Sequence, residues 1–492
     1  QRKRKRKRNA NAKATQHTQM RERTRFAALA IVLFLVAANL RFGSQQSGNT
    51  NTSTRTRTRA SSTHSGKRCS QWAVVSTVLD APNESILRVS NLRGWCLVIV
   101  AGGSASGSTS TGASGSTGAS GSTSTGASGS TGASASVSDN AHANLAAERD
   151  NVFYLPAPNN HKNKNHNNAN AFAFGKNTGY LFALSHGARV LFDFCDDNVL
   201  TPPMGGTGTV APPFLFSEEV GFDRTVLLRF LVDDENENHH RDDENHDPSH
   251  NRGRSFNPYV YMEASQAYTW PRGFPVDRLP ENFHEWRNPE KKNTSVGDLH
   301  LSSIGVLQSL CTGDPDHDAV YRSTRLPAES SFGNSATALP LLIPPNAYSP
   351  YNAQATTHLH HAFWGLYLPT TVPTPVAEPW RSYVHQRLAR DVGLRVLYTP
   401  PIVHRDHVPR DHLRELAAEH DLRTNTTRML AFLDAWSSPA TTLPQRIVDL
   451  WTALCESGYV GRKDVEGVGE WLDALEAIGY EFPTVVEGGG VG

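Results

Sequence analysis

The sequence predicts an α/β protein whose strands pair in parallel within a mixed sheet flanked by helices, followed by a helical C-terminal segment. Three observations predict it. Two β-branched, apolar runs of strand length, "QWAVVSTVL" and "GWCLVIVAG", follow each other closely. A helix-spaced segment, "GKNTGYLFALSHGA", then leads straight into another strand, "RVLFDF". That strand runs into "CDDNVL", so Asp193, Asp196 and Asp197 crowd into five residues. Crowded carboxylates repel unless water or a cation offsets their charge. Sheets of this class bind ligands beyond the carboxyl ends of their strands, where this turn falls. A solvated turn and a metal site are the two readings.

The chain has 492 residues and a net charge of +1, but its cations gather at the start. "QRKRKRKR" and Arg21, Arg23 and Arg25 make residues 1–25 a basic tail. Next comes "FAALAIVLFLVAANL", uncharged and with only Asn39 polar. As a helix it would span roughly 22 Å, short of a ~30 Å hydrocarbon core unless Arg25 and Arg41 snorkel. We read residues 26–42 as a transmembrane signal-anchor, with the tail cytosolic and the rest lumenal by the positive-inside rule. A cleaved signal peptide, with "VAA" before Asn39, is the alternative; the long leader argues against it. The apolar segment and the near-neutral remainder also disfavour nucleic acid as a partner.

Residues 43–69 are rich in Ser, Thr and Arg and read as a disordered stalk. Sequons at Asn51, Asn83, Asn293 and Asn425 suit a lumenal glycoprotein. The five cysteines show no zinc spacing and allow at most two disulfides. Order is expected from residue 70 to 410, with disordered insertions at 102–140, 157–171 and 233–254. The first holds "GSTSTGASGSTGAS" twice in tandem, and the third, "DDENENHHRDDENHD", reads as a solvated loop. "NVFYLPAP" is a third strand, and Gly187 is a plausible cap for the helix that carries Tyr180, Leu181, Ala183 and Leu184. Residues 411–485 turn helical, with Gly458 and Gly479 as stops.

Several blocks resemble the STELLO family. They include "TGYLFALSHGARVLFDFCDD", "NPYVYMEASQAYTWPRGFP", "GDPDHDAVYRSTR" and "WRSYVHQRLARDVGLRVLYTPPIVHR", in colinear order over most of residues 70–485. The resemblance implies a Golgi type II membrane protein with a GT-A-like lumenal domain. It also implies association with polysaccharide synthase complexes. The activity it implies is metal-dependent transfer of a sugar from a nucleotide-sugar donor to a glycan or glycoprotein acceptor. The alternative is an inactive relative that acts as a scaffold for other membrane enzymes, and Cys195 favours it, standing where the family carries an Asp.

On the enzymatic reading, Asp193, Asp196, Asp197 and the late His404 of "YTPPIVHR" hold Mn²⁺ or Mg²⁺, since such hard cations take oxygen ligands. Lys176 and Asn177, placed at the opening of a helix, either contact the nucleotide phosphate or ribose or simply cap the helix. Arg272, set between Pro and Gly, either makes a fixed anion contact with the nucleotide or holds a buried turn. Asp316 and Asp318, alternating with Asp314, and Glu378 are candidates for the base that deprotonates an acceptor hydroxyl. Trp364 is either a sugar-stacking ring or a core aromatic.

Overall fold

The computed structural model describes residues 69–102, 140–156, 169–201, 225–231, 254–262, 264–265, 268–280, 294–325, 331–332 and 339–486. The basic tail, the anchor, the stalk up to residue 68 and most of each insertion lie outside these residues. Among the described residues no helix is long and apolar enough to cross a membrane.

Among the described residues, eleven strands form one mixed sheet. In chain order they are β1 (Gln71–Thr77), β2 (Trp95–Ala101), β3 (Val152–Leu155), β4 (Val190–Phe194), β5 (Val199–Leu200) and β6 (Thr225–Leu231). They continue with β7 (Thr294–His300), β8 (Ile304–Gly313), β9 (Leu341–Leu342), β10 (Ala355–Leu359) and β11 (Arg395–Arg405). Across the sheet the order is β3-β2-β1-β4-β10-β8-β11-β9-β6-β7, with β5 on β11. β3, β2, β1 and β4 are parallel; β10 is antiparallel to both β4 and β8; β8 and β11 are parallel again. The carboxyl ends of β1, β4, β8 and β11 therefore share one edge of the sheet. That edge collects Thr77, Asp196, Asp197, Gly313 and Arg405, and β10 begins there just after Asn352.

Alternation along β1 sends Trp72 and Val74 to one face and Ala73 and Val75 to the other. The first face packs under α3 (Ala169–Ser185) and α5 (Thr374–Asp391); the second packs under α1 (Glu84–Ser90) and α2 (Ala141–Glu148) through Ile86, Val89 and Leu145. A short helix, α4 (Ala319–Thr324), follows β8. Helices α6 (His412–Ala418), α7 (His420–Ala435), α8 (Leu443–Glu456) and α9 (Arg462–Ala477) form the helical C-terminal segment. They bury Leu430, Leu450 and Trp471 in the same core as α5. Gly187, Gly458 and Gly479 all have positive φ, as helix stops require.

Two expectations change. Helix α3 starts at Ala169, inside the segment read as a disordered insertion. Cys69, placed in the stalk, is buried and bonded to Cys96 of β2, with their Cα atoms 5.9 Å apart.

Candidate functional site

The acidic turn splits into inward and outward halves, because strand alternation points Asp193 at the α3 face. Asp193 is fully buried; its Oδ1 accepts from Lys176 Nζ at 2.6 Å and its Oδ2 accepts from the Tyr180 hydroxyl at 2.6 Å. Arg381 Nη2 stands 3.5 Å away. Lys176 also donates to the Val74 and Phe194 carbonyls at 3.2 and 2.7 Å. All of its donors are spent on the core, so Lys176 is an internal counter-ion rather than a phosphate contact, and Asp193 is not a free metal ligand. The spacing of α3 explains the difference: the helix begins well before Lys176 and Asn177, so both sit in its middle. Gly179 lets it lie close, since a Cβ there would be 2.6 Å from Val74 Cγ1. Asn177 is likewise used internally, clasping the Leu368 backbone N–H and carbonyl at 2.9 Å each.

Asp196 and Asp197 face the edge of the sheet. Asp196 Oδ2 accepts from the Thr77 hydroxyl at 2.6 Å. Burial pushes its carboxyl up to about 6, and the bond from Thr77 only partly opposes this. Asp197 keeps 31% of its side chain exposed; its Oδ1 accepts from Asn198 Nδ2 at 2.7 Å, and Arg405 Nη1 lies 3.6 Å from its Oδ2. His404 pairs in register with Val199, which brings it beside the turn. Its ring nitrogens, however, meet the Thr312 hydroxyl and Asp406, each at 3.1 Å. Among the described residues no group of three or more His, Cys, Asp and Glu side chains is arranged to hold a metal ion. The expected quartet of Asp193, Asp196, Asp197 and His404 is thus not assembled as a cage. Cys195 points elsewhere, its thiol donating to the Ala353 carbonyl at 3.4 Å.

The second acidic constellation is drawn apart instead of converging. Asp314 is fully buried and ion-paired with Arg322, with Arg405 and Arg410 at 3.6 and 3.8 Å. Asp318 caps α4 through the Tyr321 N–H and accepts from Trp270 Nε1 at 2.6 Å, which makes it a structural group and not a base. The chain leaves the strand geometry after Gly313, so the alternation that would have aligned these carboxylates no longer applies.

Asp316 behaves differently. Its Oδ2 accepts from Arg272 Nε at 2.8 Å and from Asn352 Nδ2 at 2.6 Å. The Arg272 Nη2 reaches Glu378 Oε2 at 2.6 Å. The structure therefore joins three of the candidates, Asp316, Arg272 and Glu378, in one chain of charges. Burial pushes the Asp316 carboxyl up, but Arg272, Arg405 and Arg322 outweigh it and hold the group below the usual carboxylate range. For Glu378 burial wins over Arg272 and the pKa is raised. Its Oε1 is buried without a hydrogen-bond partner among the described residues. Arg272 is fixed by Gly273, whose φ is +91° and whose Cβ, if present, would fall 2.4 Å from Pro379 Cβ. Trp364 is 2% exposed and belongs to the core.

Sequence reasoning missed Thr77, Asn352 and Arg405. Arg405 had a signal, since it follows His404 at the end of a strand; nothing local marks Asn352, which tertiary folding alone brings to Asp316.

A family model described as STELLO glycosyltransferases matches residues 376–490. The chain is also similar to the probable glycosyltransferase STELLO2 of Arabidopsis thaliana, at 31% identity over 316 residues, which is 63% of this chain and 37% of that protein. STELLO1 of the same plant is 29% identical over 314 residues, again 63% of this chain and 36% of the relative. Over these stretches the chain is similar to STELLO glycosyltransferases, and it spans little more than a third of the length of these curated relatives. The match to STELLO glycosyltransferases takes in α5 and β11, and hence Glu378, Arg381, His404 and Arg405.

Proposed function

We propose that this chain is a Golgi glycosyltransferase of GT-A type, anchored by residues 26–42, that moves a sugar from a nucleotide-sugar donor to a glycan or glycoprotein acceptor. One observation carries the proposal. Parallel strands β1, β4, β8 and β11 end at a single edge of the sheet, which gathers Asp196, Asp197 and Arg405, and Asp316, three residues beyond β8, is linked there to Arg272 of a loop and through it to Glu378 of helix α5. That arrangement offers carboxylates and a guanidinium where a diphosphate would be held, and a separate oriented carboxylate for an acceptor. The Cys69–Cys96 disulfide supports a lumenal location, because such bonds persist in oxidising compartments.

The donor set fits a divalent cation that takes most of its ligands from phosphate and water. Mg²⁺-like ions are commonly held by one or two carboxylates together with substrate phosphates. Among the described residues Asp196 is a desolvated carboxylate whose side chain is bonded by the Thr77 hydroxyl, and Asp197 is partly exposed beside it. These two would hold Mn²⁺ or Mg²⁺; Asp193 would not. When bound, such a cation neutralises charge on the departing diphosphate. Arg405 adds fixed positive charge next to Asp197. Asp316, oriented by Arg272 and Asn352, accepts the proton of the acceptor hydroxyl, and Glu378 holds Arg272 in place.

The test uses the full chain in detergent. Thermal midpoints are recorded with Mn²⁺ or Mg²⁺ and a panel of nucleotide sugars. A bound donor at about 100 times its Kd adds about 2.7 kcal/mol, a shift of several degrees. Asp197→Asn should remove that shift at unchanged basal midpoint. If no donor moves the wild-type midpoint with either metal, the proposal is wrong.

A further inference from the structure

The acidic turn is held from below by a segment that carries no acid of the proposed site. Helix α1 opens at Asn83, whose Oδ1 accepts from the Ile86 N–H at 3.2 Å and caps the helix. The same side chain turns its Nδ2 toward the turn and donates to the Asp196 carbonyl at 2.6 Å. Ser85 is fully buried, and its hydroxyl donates to the Asn198 carbonyl at 2.5 Å. Further along α1, Arg88 Nη1 donates to the Leu200 carbonyl at 2.6 Å. With the bond from Thr77 to the Asp196 carboxylate, the backbone on both sides of Asp197 is fixed from one direction.

We infer that Asn83-Glu84-Ser85 is a positioning clamp for Asp196 and Asp197, and that this formal glycosylation sequon carries no glycan in the folded protein. Both atoms that define the sequon are used inside the fold: the amide nitrogen that would take the sugar bonds to the turn, and the serine hydroxyl is buried beneath it. A carboxylate that shares a cation with phosphate needs its backbone fixed to within a fraction of an ångström. Asn83 and Ser85 supply that fixation to a turn whose own backbone bonds are few: within it, Asn198 N–H donates to the Cys195 carbonyl at 3.2 Å. The functional half of the inference rests on the proposed donor site; the structural half does not.

Asn83→Asp separates the two roles of the side chain. It keeps an oxygen for the Ile86 N–H and loses the donor to Asp196. Asn83→Ser does the same without added charge. Hydrogen exchange of the full chain should show the peptide spanning residues 195–200 exchanging about tenfold faster in both variants, the worth of one lost hydrogen bond. Helix α1 should stay protected. Unchanged exchange in the turn overturns the clamp. In parallel, the midpoint shift produced by Mn²⁺ with uridine diphosphate should shrink in both variants; a full shift beside a loosened turn overturns the positioning role. If the wild-type chain shows no shift with this probe, the donor reading falls while the exchange result still decides the clamp. Peptide mapping of the chain made in a secretory host should find Asn83 unmodified, and a glycan on Asn83 there overturns the assignment.

Discussion

Replacing Lys176 with Met tests whether the crowded aspartates are answered from inside the protein. The ammonium makes three hydrogen bonds, to Asp193 at 2.6 Å, Phe194 O at 2.7 Å and Val74 O at 3.2 Å, and it is completely buried. Met fills a similar volume but donates nothing. Asp193 is then left with the Tyr180 hydroxyl and with Arg381 at 3.5 Å, and two backbone carbonyls lose a donor. Breaking a buried ion pair by removing one partner costs about 3–5 kcal/mol. Against a total stability of about 5–15 kcal/mol, that is a fifth or more of what holds the domain folded. Urea denaturation should register it as a lower midpoint at unchanged slope. Pairing the change with Asp193→Asn should recover a large part of the loss, because the orphaned charge is gone. A donor-binding lysine behaves differently: Lys176→Met would then leave stability within about 1 kcal/mol of wild type and abolish the nucleotide response. That outcome would refute the structural role argued here.

Other expectations follow from the same geometry. Gly273→Ala should lower stability by about 2–3 kcal/mol, since the new Cβ meets Pro379 at 2.4 Å in a backbone with φ of +91°; thermal unfolding checks it. Burial pushes the Glu419 carboxyl up to about 7, and the bond its Oε2 accepts from the Ala319 N–H only partly opposes this. The folded chain therefore keeps that proton between pH ~4.3 and 7 where the unfolded chain has lost it, so this contribution is full below pH ~4.3 and is lost as pH rises through 7. Glu419→Gln should flatten the decline and gain about 3 kcal/mol over wild type above pH 7, read from urea midpoints across pH. Opening the Cys69–Cys96 link by Cys96→Ser releases a loop of sequence separation 27, which should cost about 3.5 kcal/mol and show as a fall in the midpoint under oxidising conditions alone.

The sequence by itself determined the α/β class, the strands β1 to β4, the helical end with its glycine stops, and the placing of the acidic turn at a strand terminus. Each of these rests on hydrophobic period and turn chemistry, which are local. It also marked Arg272, Asp316 and Glu378, although not that they touch. What each charged group does was decided only by tertiary structure. Whether Asp193 faces a cation in the core or a ligand outside depends on strand alternation and on where α3 begins, and a shift in that helix start moves Lys176 from a phosphate to a carboxylate. Asp314, Asp316 and Asp318 look alike in "GDPDHD", yet one meets arginines, one is oriented by Arg272 and Asn352, and one caps a helix. Those partners lie as far as 96 residues away, from Asp314 to Arg410. An ionic contact needs proximity in space, and no periodicity in a linear sequence encodes that.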